Sequence, residues 1–191
     1  MKDDLTFDVH YGYWFNLACE RFYKHIDFAM NFVQLVGGSS AALGAINGSP
    51  PWVVASGLAL AACAAVSLLV QPGVKAEQHQ RAKCCYLDIK GRLHELDVDA
   101  LAVAVAQAQR DGPAGVGALA TPAFNSTLNA MGRDAGTRKL GFWEHIATFV
   151  AYVTWTLYMT TVSIFLSLSM TVILSAFSHP PARILAIHHP A

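Results

Sequence analysis

Charged residues make up only 14% of this 191-residue sequence, against about a quarter in soluble globular domains. The thirteen basic and thirteen acidic residues cancel, so there is no basic field to hold nucleic acid by counterion release, and a nucleic-acid partner is not expected. A glycine-rich phosphate loop, a G-x-S-x-G elbow and an H-E-x-x-H helix are all missing, which removes the sequence signatures of the common nucleotide-dependent, hydrolytic and zinc enzymes. The four cysteines contain no C-x-x-C pair and no spacing that suggests a disulfide framework.

What is present is apolar sequence, 54% by count with a mean hydropathy of +0.37, concentrated in two runs. The first, residues 28–74, contains not one Asp, Glu, Lys, Arg or His. A helix needs only about 20 residues to cross a hydrocarbon core of roughly 30 Å, so two spans and a turn fit. The turn reads as INGSPP, Ile46 to Pro51, because Asn-Gly favours positive φ and a proline pair cannot continue a helix. Spans are expected near residues 28–46 and 52–70, with Trp52 placed as an interfacial aromatic and Gln71, Pro72 and Gly73 marking the end.

The second charge-free run, residues 146–178, lies between His145 and His179. It is too short for two spans and longer than one requires, so a single tilted or projecting helix is expected; a buried β-rich segment is the alternative, given its Thr, Val, Tyr, Phe and Ile content. The opening MKDDLTFDVH is acidic and unlike a secretory signal, so the first apolar run is expected to remain as structure. Arg21 and Lys24 precede the first span, the turn has no basic residue, and Lys75, Arg81, Lys83, Lys90 and Arg92 follow the second. The positive-inside rule therefore puts the N-terminus and the middle segment in the cytoplasm and the hairpin tip on the far side. Arg133, Arg138 and Lys139 before the third span, with only Arg183 after it, agree.

The expected fold class is an all-α membrane protein: a cytoplasmic N-terminal helix at residues 1–27, a two-span transmembrane hairpin at 28–73, short cytoplasmic helices at 74–144, a third long transmembrane helix at 145–178 and a tail at 179–191. Within the middle segment the composition predicts a helix over residues 75–96, interrupted at Gly91. Asp97 is expected to cap a helix that carries Leu101 and Val105 on one face. GPAGVGALA, Gly112 to Ala120, reads as a flexible connection, and Thr121 and Pro122 as an N-cap and first-turn proline for a helix that stops at Gly132. Short helices of this kind would bury little alone, so they are expected to pack across an oligomer or to extend the membrane helices.

No residue is expected to be catalytic, to bind a cofactor or to hold a metal. Cys84 and Cys85, with His79 and His94 nearby, invite a zinc reading, but lack the paired spacing such sites use. Acylation of a juxtamembrane cysteine has no further support. His10, His25, His145, His179, His188 and His189 are scattered, with no carboxylate at triad or metal spacing. The spans hold no ionisable group, which disfavours an intramembrane enzyme or an ion-coupled carrier.

The spans do show packing chemistry. Gly37, Ala41 and Ala45 repeat at four-residue steps, as do Ser40 and Gly44, and Gly57, Ala61 and Ala65 in the second span; small residues let helix backbones approach closely in lipid, whether within the hairpin or between copies. Asn31 and Gln34 are candidate interhelical hydrogen-bonding groups. In the third run Thr156, Thr160, Ser163, Ser167 and Thr171 form one hydroxyl stripe, able to bond back to its own helix or to face other helices or a wet lumen, while Phe149, Tyr152, Trp155 and Tyr158 form an aromatic surface elsewhere.

The layout resembles the SLATT group of small bacterial membrane proteins. The likeness covers about residues 14–132 and rests on a basic N-terminal helix, ERFYKHIDF from Glu20 to Phe28, a tight two-span hairpin, and a cytoplasmic extension beginning KAEQHQRAKCCYLDIKGRL, Lys75 to Leu93. TPAFNSTLNAMG, Thr121 to Gly132, is similar to a downstream helix of such proteins. The long third run departs from their two-span pattern. The resemblance implies a pore-forming or membrane-perturbing effector in a bacterial conflict system, assembled from several copies and held off by a partner.

The resulting expectation is a non-enzymatic, oligomeric protein of the bacterial inner membrane that permeabilises or remodels the bilayer, with a homo-oligomer and a cytoplasmic regulatory protein as partners. The alternatives are a membrane-anchored scaffold that recruits a partner through residues 75–144, and a phage holin-like protein, for which the loop between the second and third spans would be unusually long.

Overall fold

Partly and fully buried positions recur along the first helix at alternating steps of three and four residues: Asp27, Met30, Gln34, Gly37, Ala41 and Gly44 in its second half. This is the 3.5-residue period that keeps one seam facing a partner helix. In the computed structural model, which describes residues 1–46, 48, 50–152, 163 and 167, α1 runs unbroken from Lys2 to Ile46. At 1.5 Å per residue it is about 67 Å long. The expected boundary at residue 27 is not a break in secondary structure.

The chain reverses where the INGSPP turn predicts. α1 ends at Ile46, Gly48 takes a positive φ of 64°, and α2 begins at Pro50 and runs to Val70. α2 presents Val53, Ser56, Leu60, Cys63, Ser67 and Val70 to α1, again at steps of three and four. Its end is abrupt: Gln71 adopts the left-handed conformation at φ 48° and ψ 56°, and α3 (Pro72–Gly91) starts at the following proline. α3 continues back along the N-terminal half of α1, so α1 is matched over most of its length by α2 and α3 in succession.

The remaining elements wrap the same N-terminal half. α4 (Val98–Arg110) is capped by the Asp97 side chain, which accepts from the Ala100 N–H at 2.7 Å, and buries Leu101 and Val105 as the sequence predicts. These pack on Val9 of α1. The Gly112 to Ala120 connection is more ordered than a flexible linker: Gly117–Leu119 forms a single 3-10 turn, and Leu119 is fully buried beside Ala18 and Cys19. α5 (Ala120–Ala130) ends before Gly132, whose φ is +69°. Thr121 does not cap it. Leu119 occupies that position with no side-chain cap, and the Thr121 hydroxyl instead donates to Glu144 at 2.6 Å. α6 (Phe142–Tyr152) lies against α1 through Ala147 and Ala151.

The short helices therefore pack on α1 of the same chain. Among the described residues the fold is all helical, and α1 and the stretch beginning at α2 are each long and apolar enough to cross a membrane. Of residues 153–191 only Ser163 and Ser167 are described, both in helical backbone and exposed. Thr156, Thr160 and Thr171 lie outside the described residues, as do Trp155, Tyr158 and the tail at 179–191.

Candidate functional site

Two features lie below the apolar hairpin. The first is a buried polar seam between α1 and α3. Asn16 donates from Nδ2 to the Gly12 carbonyl at 2.8 Å, which leaves its Oδ1 as an acceptor 2.8 Å from His79 Nδ1. With the amide in this orientation, Oδ1 can accept only from a protonated Nδ1. The ring is completely buried and stacks on Tyr23, with centroids 5.7 Å apart, while Lys75 lies over the other ring of the pair, 5.4 Å from the Tyr23 centroid. His79 Nε2 has no hydrogen-bond partner among the described residues. Burial pushes the His79 pKa down; the Ala114 backbone and Glu20 oppose this, and Lys75 adds to it.

One turn further along α1, Glu20 is buried and holds two lysines, Lys24 of its own helix at 2.6 Å and Lys83 of α3 at 2.6 Å. Burial raises the Glu20 pKa, but the hydrogen bonds and charges of Lys24 and Lys83 outweigh it and leave the carboxyl below its ordinary value. Gly12 makes the close approach possible: a β-carbon there would collide with the Tyr86 ring of α3. Losing either partner of such a pair would leave a buried, uncompensated charge.

The second feature is a cleft of about 740 Å³ between α3 and α4. Both helices lean on α1 through Ile89, Leu101 and Val105 and leave a slot between them, floored by Ala82, Cys85, Ala104 and Ala108. It continues past Ile89 and Val103 to Arg92 and Leu96. On the opposite side of the bundle, α6 directs its alanines inward and leaves Phe142, Trp143, Ile146 and Phe149 exposed, Trp143 at 73%. Small residues face α1 because the helices lie close; the large ones have no room there.

The expected packing residues divide by face. Gly37 is buried, where a β-carbon would sit 3.2 Å from Leu60, and Ala41 is half-buried in the same seam. Ala45 is exposed, and Gly44 takes its place, with a β-carbon there 3.2 Å from Val53. In α2 the seam runs through Ser56 and Leu60, so Gly57, Ala61 and Ala65 are exposed on another face. The cause is helical phase: two steps of four rotate a residue by about 80°, whereas a four and a three return it to within about 20°. Gln34 does bond across the hairpin, to Ser67 at 3.5 Å, whereas Asn31 donates to Asp27 of its own helix at 3.3 Å.

The cysteines and histidines do not converge. Cys84 and Cys85 are exposed, His79 is sealed in the seam, and the described residues hold no group of three metal-ligating side chains. The buried Cys19 thiol has its pKa pushed up to about 11 by burial, which removes it as a nucleophile. Sequence reasoning missed the seam; polar pairs four residues apart on two separated helices, Asn16 with Glu20 and His79 with Lys83, were its signal. Compared with known protein families, with curated proteins and with solved structures, the chain matches none.

Proposed function

We propose that this chain is a non-enzymatic, membrane-anchored scaffold: the α1/α2 hairpin crosses a bilayer twice, and the bundle of residues 1–27 and 72–152 stands on the cytoplasmic face and recruits a partner. The observation that carries this reading is the continuity of α1, whose N-terminal half is the core of the bundle and whose C-terminal half is one leg of the hairpin. A bundle built on such a helix is held rigidly at the membrane. The hairpin is the right size, since residues 28–46 and α2 rise about 28 and 31 Å, matching the roughly 30 Å hydrocarbon core. Its faces suit lipid: the most apolar windows of the two long helices bury only 12% and 6% of their residues, the reverse of a soluble core helix.

Orientation follows from Arg21, Lys24, Lys75, Arg81 and Lys83 at the bundle end of the hairpin and none at its tip; the inner membrane of a bacterium is the compartment the family likeness favours. The second reading is a homo-oligomeric pore or membrane-perturbing effector. It is favoured by the exposed Gly57, Ala61 and Ala65, which offer other copies a face for close packing, and draws on the hydroxyls of the third apolar run as its lumen. The phage holin-like alternative gains nothing from the bundle.

The test uses full-length protein in liposomes, with insertion checked by resistance to alkaline carbonate and leakage followed with an entrapped dye. The scaffold reading expects stable insertion and intact vesicles. Dye release that is lost when Thr160, Ser163 and Ser167 are replaced by Val or Ala, at equal insertion, would overturn it in favour of the pore.

A further inference from the structure

The slot between α3 and α4 has a largely apolar lining and an unbalanced rim. Its lining extends along α3 from Gln78 to Ile89 and on to Arg92 just past the helix end, about 21 Å, or four helical turns. Alanine and cysteine side chains on the floor let another helix approach closely, and Val103, 67% exposed, stands ready to cover apolar surface. α4 buries Leu101 and Val105 on Val9 of α1, and Val103 is not part of that cluster.

Charge on the rim decides what fits. Its two arginines are engaged by acids of their own segments, Arg81 by Glu77 and Arg92 by Glu95. Asp88, Asp99 and Asp111 line the same groove, and among the described residues none of the three has a cationic partner; Asp111 accepts only from the Gln107 amide, at 3.3 Å. Lys2 adds one cation at the far end, where its ammonium donates to the Leu96 carbonyl at 3.1 Å; with it, three cations (Lys2, Arg81, Arg92) face five acids (Glu77, Asp88, Glu95, Asp99, Asp111), so the net charge around the groove is negative.

We infer that the α3/α4 groove is the docking site for a partner protein, and that the partner contributes a basic amphipathic helix of about four turns, with its apolar stripe on Ala82, Cys85, Ala104 and Val103 and its lysines or arginines toward Asp88, Asp99 and Asp111. This rests on the anchored-scaffold reading and specifies the chemistry of the recruited partner. Apolar contact supplies the affinity; the acidic rim selects the sign of charge and speeds encounter.

The test takes full-length protein in nanodiscs of zwitterionic lipid and, as probe, an 18-residue helical peptide with a leucine stripe flanked by lysines, against the same peptide with glutamates in place of lysines. Cys85 lines the groove and Cys84, also exposed, does not, so maleimide labelling of the two, resolved by mass spectrometry, reports occupancy with an internal control. The lysine peptide is expected to slow labelling of Cys85 about tenfold, leave Cys84 unchanged, and bind about tenfold more tightly than the glutamate peptide, the scale of two or three rim charge pairs. Ala104→Trp, which fills the slot, is expected to abolish protection; the surface triple Asp88→Lys, Asp99→Lys, Asp111→Lys, which leaves the core untouched, is expected to reverse the peptide preference.

Equal binding of the two peptides, no binding, or binding without protection of Cys85 would overturn the inference. Protection of Cys85 that rises with protein concentration in the absence of peptide would assign the groove to a second copy of the chain and overturn it too. Carbonate-resistant insertion without leakage would leave the scaffold reading standing in any of these cases; protein washed from the membrane by carbonate would remove that reading instead.

Discussion

Lys83 of α3 places its ammonium 2.6 Å from the carboxylate of Glu20 on α1, although the whole hairpin separates the two in sequence, and Lys24 closes the other side of the same carboxylate at 2.6 Å. Both oxygens of the buried acid are thereby occupied by cations, and the register of α1 against α3 is set at the base of the hairpin.

Glu20→Gln is expected to destabilise the protein, because Lys83, only 20% exposed, is left without its counter-ion. A double-mutant cycle with Lys83→Met should give a coupling of about 1–2 kcal/mol, below the value for a fully desolvated pair because Lys24 is half-exposed. The folded-state pKa of Glu20 lies below its ordinary value, so the pair's contribution is present above that ordinary value and is lost as pH falls through the folded one. Unfolding of the micelle-solubilised protein between pH 5 and pH 3 should show a wild-type acid decline that Glu20→Gln flattens.

His79 acts in a different window. Its folded pKa is lowered from the ordinary histidine value of 6.5, chiefly by burial, so below that value the unfolded chain binds a proton the folded chain resists. Stability should fall as pH drops from about 7 through the ordinary histidine range toward the folded pKa. His79→Gln should reduce this slope in thermal unfolding scans while lowering stability at pH 8 through loss of the Asn16 hydrogen bond and the Tyr23 stack; His10, shifted the same way by burial, supplies a residual slope. An unchanged slope in His79→Gln would refute the assignment.

Two glycines of the bundle leave no room for a β-carbon. A β-carbon at Gly12 would collide with Tyr86, and one at Gly115 with Phe15, the residue over which the connection to α5 passes. Gly12→Ala and Gly115→Ala are each expected to cost about 1–3 kcal/mol by overpacking, against a gain of a few tenths from reduced backbone freedom. Denaturant titration should show the cost of Gly12→Ala largely vanishing when it is introduced into a Tyr86→Ala background, itself destabilised by loss of the buried ring.

The two small-residue faces of the hairpin should respond differently to bulk. Gly37→Val is expected to open the hairpin and lower its thermal stability, since Leu60 already occupies the space. Gly57→Val, which meets nothing within 4 Å, should leave monomer stability within about 0.5 kcal/mol. Crosslinking in the membrane then reads the second face directly: loss of oligomer in Gly57→Val at unchanged stability would assign Gly57, Ala61 and Ala65 to contacts between copies.

Much of the local structure was legible in the residues themselves. The missing charges marked the hairpin, INGSPP its turn, Gln71 and Pro72 the end of α2, Asp97 a cap, and Gly132 a helix end, because each of these is decided within a few residues by backbone sterics, capping or the cost of placing charge in an apolar run. The helix expected to be only interrupted at Gly91 and to reach Leu96 instead ends at Gly91, with turns over residues 92–95. Which face of a helix is covered is not decided locally. The four-residue stripes were visible in sequence, yet the seam follows alternating threes and fours, since an interface must stay in phase with a partner helix over several turns. The segment before the hairpin could be read as a helix but not as the core of the bundle, and Thr121 offers its hydroxyl to Glu144 rather than to its own helix. Nor does anything near His79 in the chain announce Asn16 or Tyr23. Those pairings cost loop-closure entropy before any contact repays it, so only the assembled fold, summing many weak contacts at once, could choose them.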